Sequence, residues 1–446
     1  MAQTLNLKKQ MKAQLSKDIL NALELCSQTA GDYGFKIYLI GGVVRDLILG
    51  NKVFDIDITV QGNAVEFCHK LADKKYCKIL QVQNELKTVT ALFKNHITID
   101  FASTRQEFYP RRGHLPVVVR IGCSLEEDVY RRDFTVNSLA MSLNENNFAD
   151  VIDYVGGVDD LKNKTLRVLH DNSFNEDPSR IIRGLKFAAR FDLHRDSHTK
   201  ELQEKYINTQ MHDDISWTRI KSELKSSFCL NKARLYDMFV VNKNYKLIHG
   251  EKPDIKGLEI KSLIDKYNPS FDWLVYLGTV LNDENIIEAF CFNRNEKKVF
   301  TDKKWLLENN LSVMNTNYDI YQFFHKKSLE AILIYYLLTK RKEPLIYLEK
   351  LIKIRVELNG EDLKELGIQD GKKIGAMLGD NVEVGCGSIL NPGSIIGRGT
   401  NIYPLSSVRG GVDANSIYKK QGEVAKKEES CFASESQIPI FTGSLH

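Results

Sequence analysis

IGGVVRDLILGNKVFDIDITVQG, residues 40–62, places a glycine pair, an Arg-Asp pair and an Asp-x-Asp within one short stretch. Read as a strand, the second half puts side chains at i and i+2 on the same face, so Asp55 and Asp57 project together while Phe54, Ile56 and Ile58 face the core. Two carboxylates held side by side repel, so stability alone does not account for them. A divalent cation relieves the repulsion, and Mg²⁺ typically shares its oxygen shell between one or two carboxylates and substrate phosphates. That points to phosphoryl or nucleotidyl transfer. Upstream, Gly41 and Gly42 end a strand and start a helix, which turns backbone N–H groups and a positive helix end toward a phosphate. A Gly-Gly alone usually means a tight turn, and an isolated Asp-x-Asp is most often a pair of solvated loop residues. The two features about a dozen residues apart carry the inference together.

The rest of the chain bounds the answer. At 446 residues it divides into several domains. With 62 Lys+Arg against 58 Asp+Glu the net charge is +4, which allows a nucleic-acid partner without demanding one. The eight cysteines stand singly, with no CxxC pair and no metal-ligand spacing, so a reduced, cytoplasmic compartment is expected. The amino-terminal stretch reads as a polar amphipathic helix, and no run approaches the roughly 18 apolar residues of a membrane span, so no membrane association is expected.

Short β-branched segments at residues 36–41, 54–60, 78–81, 88–93 and 96–101, with helical spacing at 43–49 and 63–74, predict a small α/β domain over residues 1–145. From about residue 177 to 380 the pattern is almost wholly helical, and KKSLEAILIYYLLTK is apolar enough for a buried helix. Beyond 380, Val384, Leu390, Ile396, Ile402 and Val408 recur every six residues with Gly387, Gly393 and Gly399 in step. That period marks a short left-handed β-helix of hexapeptide repeats over residues 381–418, with disorder expected for 419–446. Hexapeptide coils often serve acyltransferases that use a histidine base. No histidine lies between His325 and His446, which argues for a structural extension instead.

GGVVRDLILGNKVFDID resembles the signature of the class II tRNA nucleotidyltransferase and bacterial poly(A) polymerase family, within the polymerase-β-like nucleotidyltransferases. YRRDFTVNSLAMSL (130–143), IDYVGGVDDLKNKTLRVL (152–169), EDPSRIIRGLKFAARF (176–191) and WTRIKSELKSS (217–227) resemble further blocks of that family in the right order. GEDLKELGIQDGKKIG (360–375) extends the likeness toward the tail. The resemblance implies a nucleotidyltransferase head over 1–145, a base-selecting neck over 146–230, a helical tRNA-binding body over 231–355 and a helical tail segment over 356–380. It implies template-independent addition of C and A from CTP and ATP to the tRNA 3′ end.

By the same resemblance, Asp55 and Asp57 bind two Mg²⁺ ions, Asp100 is a third catalytic carboxylate, and Gly41, Gly42 and Arg45 hold the triphosphate. Asp46 is either part of that site or the support of a nearby arginine, and Asp100 has an alternative as a buried partner of Arg105 or Arg131. Arg131, Arg132 and Asp133 resemble nucleotide contacts, Asp133 near the ribose and Asn137 in the same pocket. Asp177 and Arg180, three apart and so neighbours on one helix face, are the implied base readers. An Asp accepts from an exocyclic amine and an Arg donates to a ring nitrogen or carbonyl; the plainer reading is that Glu176, Asp177 and Pro178 begin a helix. Arg183, Lys186 and Arg190 share a flank that meets phosphate or RNA, or simply solvent. Residues 105–116 are either a mobile loop that reshapes the pocket or a connection. The sister activities on this scaffold are CC-adding, A-adding and poly(A) synthesis, and a non-catalytic RNA-binding protein is the rival of another class.

Overall fold

The computed structural model describes residues 5–111, 113, 116–209, 215–228, 232–309, 316–354, 376–420 and 423–426. It forms two compact units, Met1–Ile352 and Lys353–His446. In the first, strands β1 (Lys36–Ile40), β2 (Asp57–Gln61), β3 (Cys77–Gln83), β4 (Thr88–Phe93), β5 (Thr98–Ser103), β8 (Ala140–Ser142) and β9 (Val151–Ile152) build one mixed sheet in the order β3-β4-β5-β2-β1-β8-β9. β2 and β5 run parallel while the other neighbours are antiparallel. Helices α1 (Lys8–Gln14), α2 (Lys17–Tyr33), α3 (Gly42–Leu49) and α4 (Ala64–Asp73) lie within this domain. Leu23 and Cys26 of α2 and Phe67 and Leu71 of α4 join Ile58, Val60, Ile99 and Phe101 of the sheet in one core. The period-two pattern explains the division, because residues 58 and 60 of β2 and 99, 101 and 103 of β5 are buried on that side. Asp57 and Asp100 lie on the other face.

The expected strand over 54–60 begins later than its apolar pattern suggested. Phe54 is 68% exposed and stands outside the core, Asp55 precedes the strand, and only Ile56 and Ile58 are buried as expected. The head also runs past residue 145, since β8 pairs with β9 beyond it. β6 (Arg105–Phe108) and β7 (Val117–Ile121) form a separate two-stranded ribbon where a loop or connection was expected.

Helix α5 (Leu125–Tyr130), closed by a Ser124–Glu127 capping box, places Asp128 behind the ribbon. Then come α6 (Gly157–Lys162), α7 (Ser173–Glu176), α8 (Ser179–Phe191), α9 (Ser197–Asn208) and α10 (Trp217–Phe228). Ile181, Ile182, Leu185, Ala188 and Ala189 form the buried stripe of α8, as its 3.6-residue spacing predicts. Among the described residues eight more helices follow, from Lys232–Val241 to Glu343–Glu349; Leu329–Thr339 is the apolar helix legible in the sequence, buried along most of its length. No helix among the described residues is long and apolar enough to cross a membrane.

The second unit is a coil of short parallel strands. Met377 pairs with Ile395, Glu383 with Asn401 and Ile389 with Ser407, so one turn takes 18 residues and three strands. Ile396, Ile402 and Val408 fill its interior with Val412 and Tyr418. The buried Ser394, Thr400 and Ser406 hydroxyls donate to the carbonyl oxygens of Val408, Asp413 and Lys419. After Val408 the turn shortens: Ile395 pairs with Gly411 and Asn401 with Ile417, 16 residues on. The coil starts before the expected boundary at 381, since Met377 and Leu378 are strand and not the helix expected over 356–380; residues 356–375 of that segment lie outside the described residues. At the other end Ser416–Lys420 pairs with Glu423–Lys426 as a hairpin that runs on into residues 419–426, part of the stretch expected to be disordered. The remainder of 419–446 lies outside the described residues.

Gly397 is the close-approach position of this coil: a Cβ there meets the Ala414 backbone nitrogen at 2.3 Å. Gly397→Ala is expected to destabilise the coil by about 1–3 kcal/mol through overpacking. Amide hydrogen exchange at Ile396 and Ile402 then rises roughly 10- to 100-fold while Leu39 and Phe101 keep their protection. Unchanged exchange in the coil would refute the close contact.

Asp128 is fully buried and accepts from the Arg105 backbone N–H at 3.0 Å, the Arg131 Nε at 2.9 Å and the Arg132 Nη2 at 3.0 Å. Burial pushes its pKa up, but the Arg132 and Arg131 guanidinium groups outweigh that and hold it below the ordinary 3.8. A depressed carboxylate pKa stabilises the fold above the unfolded value and loses that contribution as pH falls through the folded value. Asp128→Asn is expected to cost about 3 kcal/mol at neutral pH. Measured by denaturant titration, the gap to the parent protein stays level from pH 7 to about 5 and closes below about 3.8. A gap that persists at the lowest pH would contradict the ionic origin.

Candidate active site

Across the parallel pair β2–β5, Asp57 stands in register with Asp100, and both open onto a cleft of about 1310 Å³. Asp55, just before β2, lines the same cleft. Asp100 is exposed, and its carboxylate accepts from the Thr90 hydroxyl at 2.6 Å across β4. It is not the buried partner of Arg105 or Arg131: those arginines pair with Glu107 and Asp128. Asp57 is itself exposed to the cleft, and its carboxyl is pushed up to about 6 by the crowding of protein around it and then by the Asp100 charge, against the opposing pull of Arg132 and with a smaller push from Asp55. Crowded carboxylates of this kind are what a cation relieves. Among the described residues no group of three or more His, Cys, Asp or Glu side chains is arranged to hold a metal ion.

The glycine turn sits at the cleft's edge. Gly41 has φ +74° and ψ −122°, a conformation suited to glycine, and its N–H donates to the Leu139 carbonyl at 2.8 Å. It launches α3, whose first residue Gly42 also lines the cleft. Arg45, expected to hold a triphosphate, reaches the cleft wall with its charge already engaged. It is 4% exposed, pairs with Asp46 at 3.1 Å, donates to the Asn137 Oδ1 at 2.5 Å and packs 4.1 Å from the Phe191 ring centre. Asp46 thus takes the role of an arginine's support. The cation beside Asp57 is Arg132, whose Nη2 binds Asp128 and whose buried Nε has no hydrogen-bond partner among the described residues.

Asp133 is buried and fully used. Its Oδ1 accepts from the Phe134 N–H at 2.8 Å and the Asn137 amide at 3.2 Å, and its Oδ2 accepts from the Arg183 Nε and Nη2 at 2.9 and 2.8 Å. Burial raises its pKa, yet the Arg183 charge and hydrogen bond more than offset this. Four donors match the roughly four lone-pair sites of a carboxylate. None is left for a ribose hydroxyl, so in this conformation Asp133 braces the head against α8. Arg183 continues to Glu223 at 3.2 Å, and Lys186 donates to the same carboxylate at 2.9 Å. Arg183 lines the cleft; Lys186 is tied to α10, and Arg190 is exposed, 4.9 Å from the Phe191 ring centre. The expected basic stripe therefore reaches the cleft only through Arg183.

Asp177 and Arg180 both line the far wall. Asp177 is not within a helix: it has extended φ/ψ after α7, and its Oδ1 accepts from the Ser179 N–H and hydroxyl at 3.1 and 2.5 Å. Arg180, on the first turn of α8, donates to the Ser173 hydroxyl at 2.8 Å and the Arg131 carbonyl at 3.0 Å, beside Tyr109. Arg219 pairs with Asp177 at 2.5 Å. Sequence reasoning passed over Thr90, Tyr109, Arg219 and Glu223 as site residues. Arg219 and Glu223 sit four apart in the quoted RIKSEL block, which places both on one face of α10.

Residues 37–167 match the model of the poly A polymerase head domain. The chain is 32% identical over 366 residues to an A-adding tRNA nucleotidyltransferase of Aquifex aeolicus, covering 76% of this chain and 43% of that protein. It is 30% identical over 276 residues to a CCA-adding enzyme of Staphylococcus epidermidis, covering 61% of this chain and 65% of that protein. The chain thus spans less than half the length of the Aquifex relative. Its fold is similar to that of the Thermotoga maritima CCA-adding enzyme complexed with tRNA, with a TM-score of 0.65 and 26% identity over 83% of this chain and 92% of that one. Residues 37–167 are thus similar to the poly A polymerase head domain, and the chain is similar over a longer stretch to tRNA nucleotidyltransferases.

Proposed function

We propose that this protein is a template-independent nucleotidyltransferase that adds C and A from CTP and ATP to the 3′ end of tRNA. The observation that carries this reading is the convergence of Asp55, Asp57, Asp100, the Gly41–Gly42 turn, Arg132, Asp177 and Arg180 on one cleft, within a chain related to tRNA nucleotidyltransferases. Asp55 and Asp57, with Asp100 beside them, would hold two Mg²⁺ ions, which when bound activate an attacking hydroxyl and neutralise a triphosphate. The Gly42 N–H, at the start of α3, and Arg132 hold the triphosphate by a backbone donor and charge, with Gly41 shaping the turn. Base selection falls to the Asp177 and Arg180 end of the cleft. Asp133 and Asn137 keep the head and α8 in one frame, so that the two ends stay at a fixed separation.

In domain terms, residues 1–152 form the catalytic head, the stretch from there to 230 the base-selecting neck and 231–355 the body that grips tRNA. The tail coil over 381–418 is a left-handed β-helix, a reading supported by its hexapeptide period and parallel strand pairs. It serves as a structural extension. A second reading, addition of A alone, is favoured by the Aquifex relative's being an A-adding enzyme.

Labelled CTP and ATP, supplied separately and together, should extend a tRNA transcript lacking its CCA end to a full CCA and then stop. Extension only of a transcript lacking the final A would assign the A-adding activity; CC only, or a long A tract, would assign the other sister activities. The double variant Asp55→Ala, Asp57→Ala should lose at least about 10³-fold in rate. RNA binding by both proteins with incorporation by neither would sink the catalytic reading in favour of a binding protein.

A further inference from the structure

We propose that Thr90 is a positioning residue of this site: its hydroxyl holds the Asp100 carboxylate in the orientation in which that group, beside Asp57, receives a divalent cation. The inference rests on the nucleotide-addition reading and names a residue which that reading leaves out.

Three residues stand in one row across the sheet. Asp57 on β2 is in register with Asp100 on β5, and Asp100 is in register with Thr90 on β4. Neighbouring strands lie about 4.8 Å apart, so the two carboxylates and the hydroxyl are closest neighbours on their face. All three line the cleft, while Ile99 and Phe101 enter the core on the other side of β5. The Thr90 hydroxyl donates to the Asp100 Oδ1 at 2.6 Å. Among the described residues this is the one side-chain hydrogen bond that Asp100 makes, and no Lys, Arg or His pairs with it. An exposed carboxylate on a strand otherwise turns readily about its last torsion, whose preference is broad.

The kind of partner separates Asp100 from the structural carboxylates. Asp128 and Asp133 are buried and held by arginines, whose charges offset theirs. Asp100 is exposed and held by a neutral group, which fixes the plane of the carboxylate and leaves its negative charge in place for a cation. A hydroxyl has a single proton to give. Spending it on Oδ1 leaves Oδ2 unclaimed. Carboxylates that ligate metals are themselves hydrogen-bonded from behind, and loss of such a partner typically costs about 10- to 100-fold in metal affinity. The row therefore has an order: a holding hydroxyl, a held carboxylate, and Asp57, whose repulsion with Asp100 a bound cation relieves.

The test titrates Mn²⁺, which takes oxygen ligands in the same octahedral arrangement as Mg²⁺, into the full chain without nucleotide or RNA. Free Mn²⁺ is read by electron paramagnetic resonance, and binding lost in the Asp55→Ala, Asp57→Ala variant is assigned to the cleft. Thr90→Val keeps the shape and favours a strand. Thr90→Ala removes the hydroxyl by a second route, and Thr90→Ser retains it. The Val and Ala variants are expected to melt as the parent does without metal, to bind cleft Mn²⁺ about 10-fold more weakly, and to need about 10-fold more Mg²⁺ for half-maximal incorporation. Thr90→Ser should bind within about threefold of the parent. In an Asp100→Ala background, Thr90→Val should have no further effect on Mn²⁺ binding. Parent-like affinity in the Val and Ala variants, failure of Ser to restore it, or an undiminished effect in the Asp100→Ala background overturns the proposal. Weaker binding that follows a lowered melting temperature in every variant means that Thr90 only supports the sheet, which overturns it too. A parent protein with no cleft Mn²⁺ removes the cation site and the proposal with it. Cation binding without nucleotide incorporation refutes the transfer reading alone, and the Mn²⁺ titration still decides the role of Thr90.

Discussion

A carboxylate without water must be paired, and Asp133 is the one on which the site's geometry depends. Its burial would be costly without Arg183, and the bidentate pair it makes with that side chain fixes α8 to the head. From there the polar chain runs both ways. Asn137 and Arg45 carry it to the glycine turn, and Glu223 and Lys186 carry it to α10. All of these links except Asp133–Asn137 join residues 37 or more positions apart, so the carboxylates on the sheet and the polar wall built by α8 and α10 are held in one frame. Removing a partner would leave a buried charge uncompensated, which is costly.

The second constraint is register. Asp57 faces Asp100 because β2 and β5 are parallel, and a parallel pair needs a crossover; here α4 and the β3–β4 hairpin supply it. A slip of one residue in β2 would turn Asp57 into the core and Ile58 out of it, and a slip in β5 would do the same to Asp100 and Phe101. The apolar face thus protects the position of the charged one. Helix packing on one side of the sheet and chemistry on the other are set by the same alternation.

That alternation is why much of the head was legible. The strand at residues 36–40, α3, α4 and the stripe of α8 follow directly from period-two and 3.6-residue patterns. What failed was local, where the pattern ended. Phe54 alternates correctly with Ile56 but precedes the first ladder hydrogen bonds, so nothing covers it. Asp177 was assigned to a helix on spacing alone, whereas the Ser179 donors hold it in the extended turn that begins one. The site was legible residue by residue but not in its partnerships. Arg45 and Asp133 look like ligand contacts in a linear motif, and only the fold shows that Asp46 and Arg183 have claimed them. Arg219 was hidden for a related reason, since its block reads as helix packing and its pairing with Asp177 exists only in the fold.

The tail carries the same lesson in another geometry. A six-residue period was visible because each turn of the coil repeats three strands, and glycine at 387, 393 and 399 marks the corners. The period could not reveal where the coil stops. After Val408 the turn loses two residues, so Val412 and Tyr418 leave the hexapeptide frame yet still enter the interior. Interior filling is decided by distance along the coil axis and not by spacing in the sequence. A turn that is two residues shorter still closes as long as its side chains reach the centre, and Tyr418 is long enough to do so, with its hydroxyl donating to the Ser407 carbonyl at 2.9 Å. The hairpin that follows then covers the strand edge that such a coil leaves open.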